Sequence, residues 1–123
     1  MNHITAVSTV AVPVTDQDRA VAFYVDTLGF DLRMDAPLLQ LGGRWIVVAP
    51  PGSSTALALA PAGDDTPAGG DTGIRFGTSD AAAAHAALTE QGVEAGDLLS
   101  WPGVPPMFTF RDPDGNVLYL VEG

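Results

Sequence analysis

The chain reads as two copies of one pattern, and a duplicated pattern limits the possible folds more than any single motif does. Shifted by 64 residues, Val10-Ala11-Val12-Pro13-Val14-Thr15-Asp16 falls on Ile74-Arg75-Phe76-Gly77-Thr78-Ser79-Asp80. Each copy alternates apolar residues and then reaches a hydroxyl residue followed by Asp. Alternation is the mark of a half-buried strand, and the hydroxyl-Asp pair is an N-cap for a helix. A shift of 63 lays Leu28-Gly29-Phe30-Asp31 on Gln91-Gly92-Val93-Glu94, where each Gly suits the left-handed residue that ends a helix. The same shift aligns Ala49-Pro50-Pro51-Gly52-Ser53 with Asp112-Pro113-Asp114-Gly115-Asn116, two Pro/Gly turns in register.

Each copy therefore predicts a strand, a helix and three further strands, an α+β fold of two tandem βαβββ modules within one domain spanning 1–123. The first module, about 4–61, places strands over 4–14, 30–36, 43–49 and 55–61, with a helix over 16–28. The second, 72–123, places strands over 72–78, 94–99, 106–112 and 116–122, with a helix over 80–91. Between them, residues 61–71 form a polar linker rich in Pro and Gly. The first helix should bury Ala20, Phe23, Tyr24 and Leu28, three and four apart.

Composition removes several function classes. Fifteen acids stand against five bases, all arginine, for a formal net charge of −10. Such a chain repels nucleic acid and anionic membrane surfaces, so neither is an expected partner. No lysine is present to form a Schiff base, and no cysteine to form a disulfide, a thiolate nucleophile or a thiolate metal site. The N-terminal stretch has no basic start, and no apolar run nears the ~20 residues that span a bilayer, so the expected location is cytoplasmic.

Val14-Thr15-Asp16, Arg19-Ala20, Phe23-Tyr24 and Leu28-Gly29-Phe30, followed far downstream by Phe110-Arg111-Asp112-Pro113-Asp114-Gly115-Asn116, resemble the vicinal-oxygen-chelate superfamily. That group includes glyoxalase I, fosfomycin- and bleomycin-resistance proteins and extradiol dioxygenases. The resemblance implies paired modules whose sheets curl into an open cup with helices outside, in a homodimer. It also implies four cup-facing positions that hold a divalent metal in the family's enzymes. Here those positions are Thr9, seven before Asp16; Gly73, three before Phe76; and Tyr119, four after Gly115. The internal repeat supplies the fourth, Ala56, four after Gly52. None can act as a carboxylate or imidazole ligand, and neither can their immediate neighbours, so no metal and no other cofactor is expected. His3 and His85 are read as surface or boundary residues.

With Thr9 turned into the cup, alternation assigns Val7 and Ala11 to the same side and Val10, Val12 and Val14 to the helix side. Ala56, Ala58 and Ala60, then Gly73, Arg75 and Gly77, then Val117, Tyr119 and Val121 also face the cup. Trp45, Trp101, Met107 and Phe108 are candidate walls. An Arg flanked by Gly is poor core material, so Arg75 should pair with an internal carboxylate or meet an acidic or carbonyl-bearing ligand. The Tyr119 hydroxyl should point at a ligand or at Thr9. Trp101 to Pro106 reads as a stiff rim loop, either lid or linker.

Three functions follow, in order of preference. The first is metal-independent binding or sequestration of a small apolar or aromatic molecule, antibiotic or metabolite, as by bleomycin-resistance proteins. The second is an enzyme using Tyr119 as acid/base and Arg75 to stabilise an oxyanion. The third is a divalent-metal lyase, transferase or dioxygenase like the family's enzymes.

Overall fold

The computed structural model describes residues 3–123. Two compact units emerge, Met1–Ala68 and Gly69–Gly123, each an open four-stranded sheet with a helical segment. In the first unit β1 (Thr9–Val14) leads into α1 (Gln17–Val21), which runs on as a π-helical turn, Ala22–Thr27. Then come β2 (Asp31–Leu38), a 3-10 turn (Leu39–Leu41), β3 (Gly43–Ala49) and β4 (Ala56–Pro61). The second unit holds β5 (Asp71–Thr78), α2 (Ala81–Glu90), β6 (Leu99–Trp101), β7 (Val104–Arg111) and β8 (Val117–Glu122). The strand orders are β1-β4-β3-β2 and β5-β8-β7-β6, so in each unit the first strand pairs with the last, in parallel. Among the described residues, no helix is long and apolar enough to cross a membrane.

The landmarks of the repeat recur as geometry. Asp16 and Asp80 each accept a hydrogen bond from the backbone N–H three residues on, Arg19 and Ala83, both at 3.0 Å. That bond satisfies one of the orphan donors at a helix start. Gly29 and Gly92 take left-handed φ of +78° and +82° just past the helices, and Gly52 and Gly115 match at +79° and +80°. Exposure alternates along β1 and β5, whereas Ile46–Ala49 of β3 and Ala56–Leu59 of β4 are buried on both faces. Val12, Val14, Ile46, Val48, Leu57 and Leu59 are buried with Ala20 and Tyr24 in the first unit. Phe108, Phe110 and Leu118 are large apolar residues buried in the second.

Four expectations need correction. The first strand begins at Thr9 rather than residue 4, because its parallel partner β4 begins at Ala56, opposite Thr9. The first helix is not α-helical to residue 28: the Leu28 N–H bonds the Phe23 carbonyl five residues back (3.0 Å). This widened turn accompanies an aromatic cluster in which Phe23 and Tyr24 lie edge to face at 5.2 Å and Tyr24 meets Phe30 at 5.8 Å. The strand expected over 94–99 is only a bridge, Ala95 to Phe110, and regular pairing resumes at Leu99–Trp101. It breaks at Gly96, whose carbonyl turns to the His85 ring (Nε2···O 2.8 Å) instead of a sheet neighbour. Finally, Trp101 to Pro106 is not a rim loop but the tip of the β6–β7 hairpin, where Trp101 pairs with Val104.

One side chain ties helix to sheet in the first unit. The paired residues of β3 and β4 are Val47 with Ala58 and Val48 with Leu57. Further along, the Gln17 amide spans the two strands. Its Nε2 donates to the carbonyls of Arg44 (2.7 Å) and Leu59 (2.8 Å), and its Oε1 accepts from the Arg44 N–H (3.0 Å). A half-buried amide thus stands in for ladder bonds and orients the start of α1. Gln17→Leu should strand these backbone groups and lower stability by about 1–3 kcal/mol. Gln17→Glu should also destabilise, because a carboxylate cannot donate to two carbonyls. Urea unfolding of the three proteins measures both, and an unchanged midpoint for Gln17→Leu would contradict the assignment.

Candidate functional site

The sheet faces turned away from the helices differ between the two units. In the first, the register places Thr9 beside Ala56 and Ala11 beside Ala58, and Val47 opposite Ala58. Val47, Ala49 and Ala56 form a small apolar cluster against which the partly buried Trp45 packs. Ala56 is 4% exposed, so it is a floor beneath the indole rather than an open contact, while Thr9 is exposed. This face carries apolar surface and one hydroxyl.

In the second unit two rows run across the sheet. One is Arg75–Tyr119–Thr109 and the other is Gly77–Val121–Met107, with Leu99 beside Met107. The Arg75 guanidinium lies over the Tyr119 ring, its carbon 4.3 Å from the ring centroid, a cation–π geometry. Arg75 Nη1 also donates to the Gly73 carbonyl at 2.8 Å. The Tyr119 hydroxyl donates to Asp71 Oδ2 at 2.6 Å, and Asp71 Oδ1 accepts the Gly73 N–H at 2.9 Å. The hydroxyl is therefore committed to Asp71, in place of the expected aim at a ligand or at Thr9.

Backbone geometry builds this cluster. The register between β5 and β8 slips between Asp71 and Arg75, and Gly73 sits in the slip with φ of +69°. That conformation is open to glycine and costs other residues roughly 1–2 kcal/mol. The bulge is what lets Asp71 reach back to both the Gly73 N–H and the Tyr119 hydroxyl. The electrostatics follow. The Tyr119 hydroxyl and the Gly73 N–H, with Arg75 nearby, hold the Asp71 carboxyl below its ordinary 3.8. Conversely, the bond to Asp71 raises the Tyr119 phenol above its ordinary 10.0.

The remaining predicted residues fall in different places. Met107 belongs to the same face as Arg75 and Tyr119. Phe108 does not: it is wholly buried on the helix side, edge to face with His85 at 4.9 Å, which corrects its reading as a ligand wall. Trp101 pairs with Val104 beyond a register shift that separates it from the Leu99–Met107 pair, and it stands half-exposed at the hairpin tip. Asp71, at the end of the expected linker, is a functional residue that sequence reasoning misses; it is the first residue of β5. Its signal was the parallel pairing of first and last strands, which brings the residues before Gly73 alongside Val117 to Tyr119.

Thr9, Ala56, Gly73 and Tyr119 do not make a donor set for a divalent cation. One is a methyl, one has no side chain and sits where a His would be strained, and the phenol donates its proton to a carboxylate. Among the described residues, no three His, Asp or Glu side chains gather.

Residues 1–120 match the family model described as the glyoxalase/bleomycin resistance protein/dioxygenase superfamily. The Bacillus subtilis (strain 168) protein YetH is 33% identical over 126 residues, covering 97% of this chain and 99% of its own. Among solved structures, TnmS3, an antibiotic binding protein from Streptomyces sp. CB03234, superposes with a TM-score of 0.89 at 39% identity, over 99% of this chain and 98% of that one. A superfamily member from Sphaerobacter thermophilus DSM 20745 gives 0.88 at 38% identity, over 98% of each. A duplicated βαβββ pattern, two open sheets and a family match over nearly the whole length agree: the chain belongs to the glyoxalase/bleomycin resistance protein/dioxygenase superfamily.

Proposed function

We propose that the chain binds and sequesters a small apolar or aromatic molecule, an antibiotic or a metabolite, without a metal. The observation that carries the reading is the donor set: the positions to which the family resemblance and the internal repeat assign a cation are here Thr9, Ala56, Gly73 and Tyr119. What remains on the sheet faces suits binding, with an indole over an apolar floor in one unit and a guanidinium stacked on a phenol in the other. The likeness to TnmS3, an antibiotic binding protein, supports the same reading. The acid/base alternative loses support from Asp71, because a phenol raised above 10.0 is further from working pH than an unperturbed one.

A thermal-shift panel of aromatic antibiotics, aromatic metabolites and divalent metals tests the reading. A micromolar ligand at roughly 1 mM should stabilise by about 4 kcal/mol, whereas EDTA should leave the melting temperature unchanged and dialysed protein should contain no stoichiometric metal. One zinc, nickel, iron or manganese per chain would sink it.

The Asp71–Tyr119 bond has its own readout. Tyrosinate absorbance, with Tyr119→Phe subtracted to isolate the residue, should titrate above 10.0 and move down in Asp71→Asn. Since the carboxyl is held below 3.8 and the phenol above 10.0, the bond persists through neutral pH; it is lost on the acid side as pH falls through the lowered carboxyl value and on the alkaline side as the phenol ionises.

We also propose a homodimer. Each sheet ends on edge strands, β1 and β2 in one and β5 and β6 in the other, that have no second neighbour within their own sheet. Leu32 and Met34 on β2 and Leu99 and Trp101 on β6 are exposed apolar residues that an interface would cover. Light scattering should give twice the chain mass, and a concentration-independent monomer would refute it.

A further inference from the structure

We infer that the Arg75–Tyr119 stack selects a flat, conjugated ligand bearing an anionic oxygen, a carboxylate or an ionised phenol or enol. This rests on the binding reading above and names the ligand chemistry that the second unit's face would take.

The inference starts from how the charges are satisfied. Arg44 is ion-paired with Asp18 and Asp35, and Arg111 with Glu94. Arg75 has a carboxylate close by, yet makes no ion pair with it. Asp71 is instead satisfied by two neutral donors, the Gly73 N–H and the Tyr119 hydroxyl. A guanidinium carries five N–H donors in a fixed fork. One Arg75 nitrogen donates to the Gly73 carbonyl and its face covers the phenol ring, so among the described residues the rest of the fork has no acceptor. In a chain of fifteen acids and five bases, an arginine held away from the carboxylate beside it is a recognition group in waiting.

Shape agrees with charge. Arg75 is exposed, and the glycines at 73 and 77 flank it on the strand. A Cβ added at either would meet nothing within 4 Å, so the positions on both sides of Arg75 along the strand are open. The row next to it, Gly77–Val121–Met107, is apolar. A planar ring laid on that row brings an edge oxygen to the fork, and the guanidinium, pinned by Tyr119 and Gly73, loses little freedom on binding it. The net charge of −10 sharpens the point. The long-range field repels an anion, so any preference for one must arise from a local cation.

Three probes with one ring system separate the possibilities: 2-naphthoate, the neutral 2-naphthamide, and 2-naphthylmethylammonium. Calorimetry should find the carboxylate bound about tenfold more tightly than the amide, the scale of one charge-assisted hydrogen bond, and the cation weakest. Arg75→Met should abolish the preference for the carboxylate, and Arg75→Lys should keep part of it, since lysine retains charge but not the fork. Arg33→Met removes the same net charge from an exposed arginine of the other unit and should leave the preference intact. Melting temperatures of all variants establish that they fold. Equal affinity for carboxylate and amide would overturn the inference while leaving the binding reading standing. A tightest cation would overturn it in favour of Asp71 as the handle, and loss of the preference in Arg33→Met would overturn it in favour of overall charge. If none of the three binds, this face is not the ligand site and the inference falls. Silence across the broader antibiotic and metabolite panel would be needed to remove the binding reading too.

Discussion

The fold depends on a parallel pair that closes each module. β1 lies against β4 and β5 against β8, so the helix and the two intervening strands form one long crossover. Parallel strands cannot be joined by a tight turn, and closing so long a segment costs chain entropy before any contact repays it. Helix capping, the left-handed glycines past the helices and the Gln17 amide all lower that cost locally. Each fixes where the chain turns, so that the first strand is already oriented when the last one arrives.

The second unit's polar cluster is a product of the same closure. Asp71 opens β5 and Tyr119 sits in the middle of β8, 48 residues further on, yet the parallel ladder brings them within 2.6 Å. The slip at Gly73 then decides which donors Asp71 reaches. A regular strand would have paired residue by residue with β8, without the turn that lets a carboxylate fold back on its own backbone. The first unit has no such slip in its parallel pair, and its face stays apolar. The matched positions Ala11 and Arg75, and Ala56 and Tyr119, give one face methyl groups and the other a stacked charge, and the slip at Gly73 adds Asp71 to the second.

Features fixed by short-range physics were legible in the sequence. Hydroxyl-Asp pairs announced both helix starts, and the Pro/Gly turns and left-handed glycines fell where the matched offsets put them. Strand alternation sorted Val12 and Val14 from Thr9 and Ala11, and Arg75 from Phe76. What escaped depended on partners distant in sequence. The π turn after Val21 breaks no local rule that periodicity can register. Gly96 keeps its N–H on the Thr109 carbonyl while a helix side chain, His85, takes its own carbonyl. Phe108 and Met107 are equally good wall residues until the pairing with β8 decides which faces the helix. Asp71 looked like linker because only the register with β8 makes it a strand residue.

The residues that specify this fold and those that could confer its chemistry hardly overlap. Caps, turn glycines and Gln17 sit at element ends or on the helix side, while Thr9, Arg75, Thr109 and Tyr119 occupy the other face of the sheets. Replacing the latter leaves the folding instructions untouched, so a duplicated scaffold of this kind can drift from one ligand chemistry to another without passing through unfolded ancestors. Two modules double that freedom: one face can hold an old specificity while its sibling explores a new one.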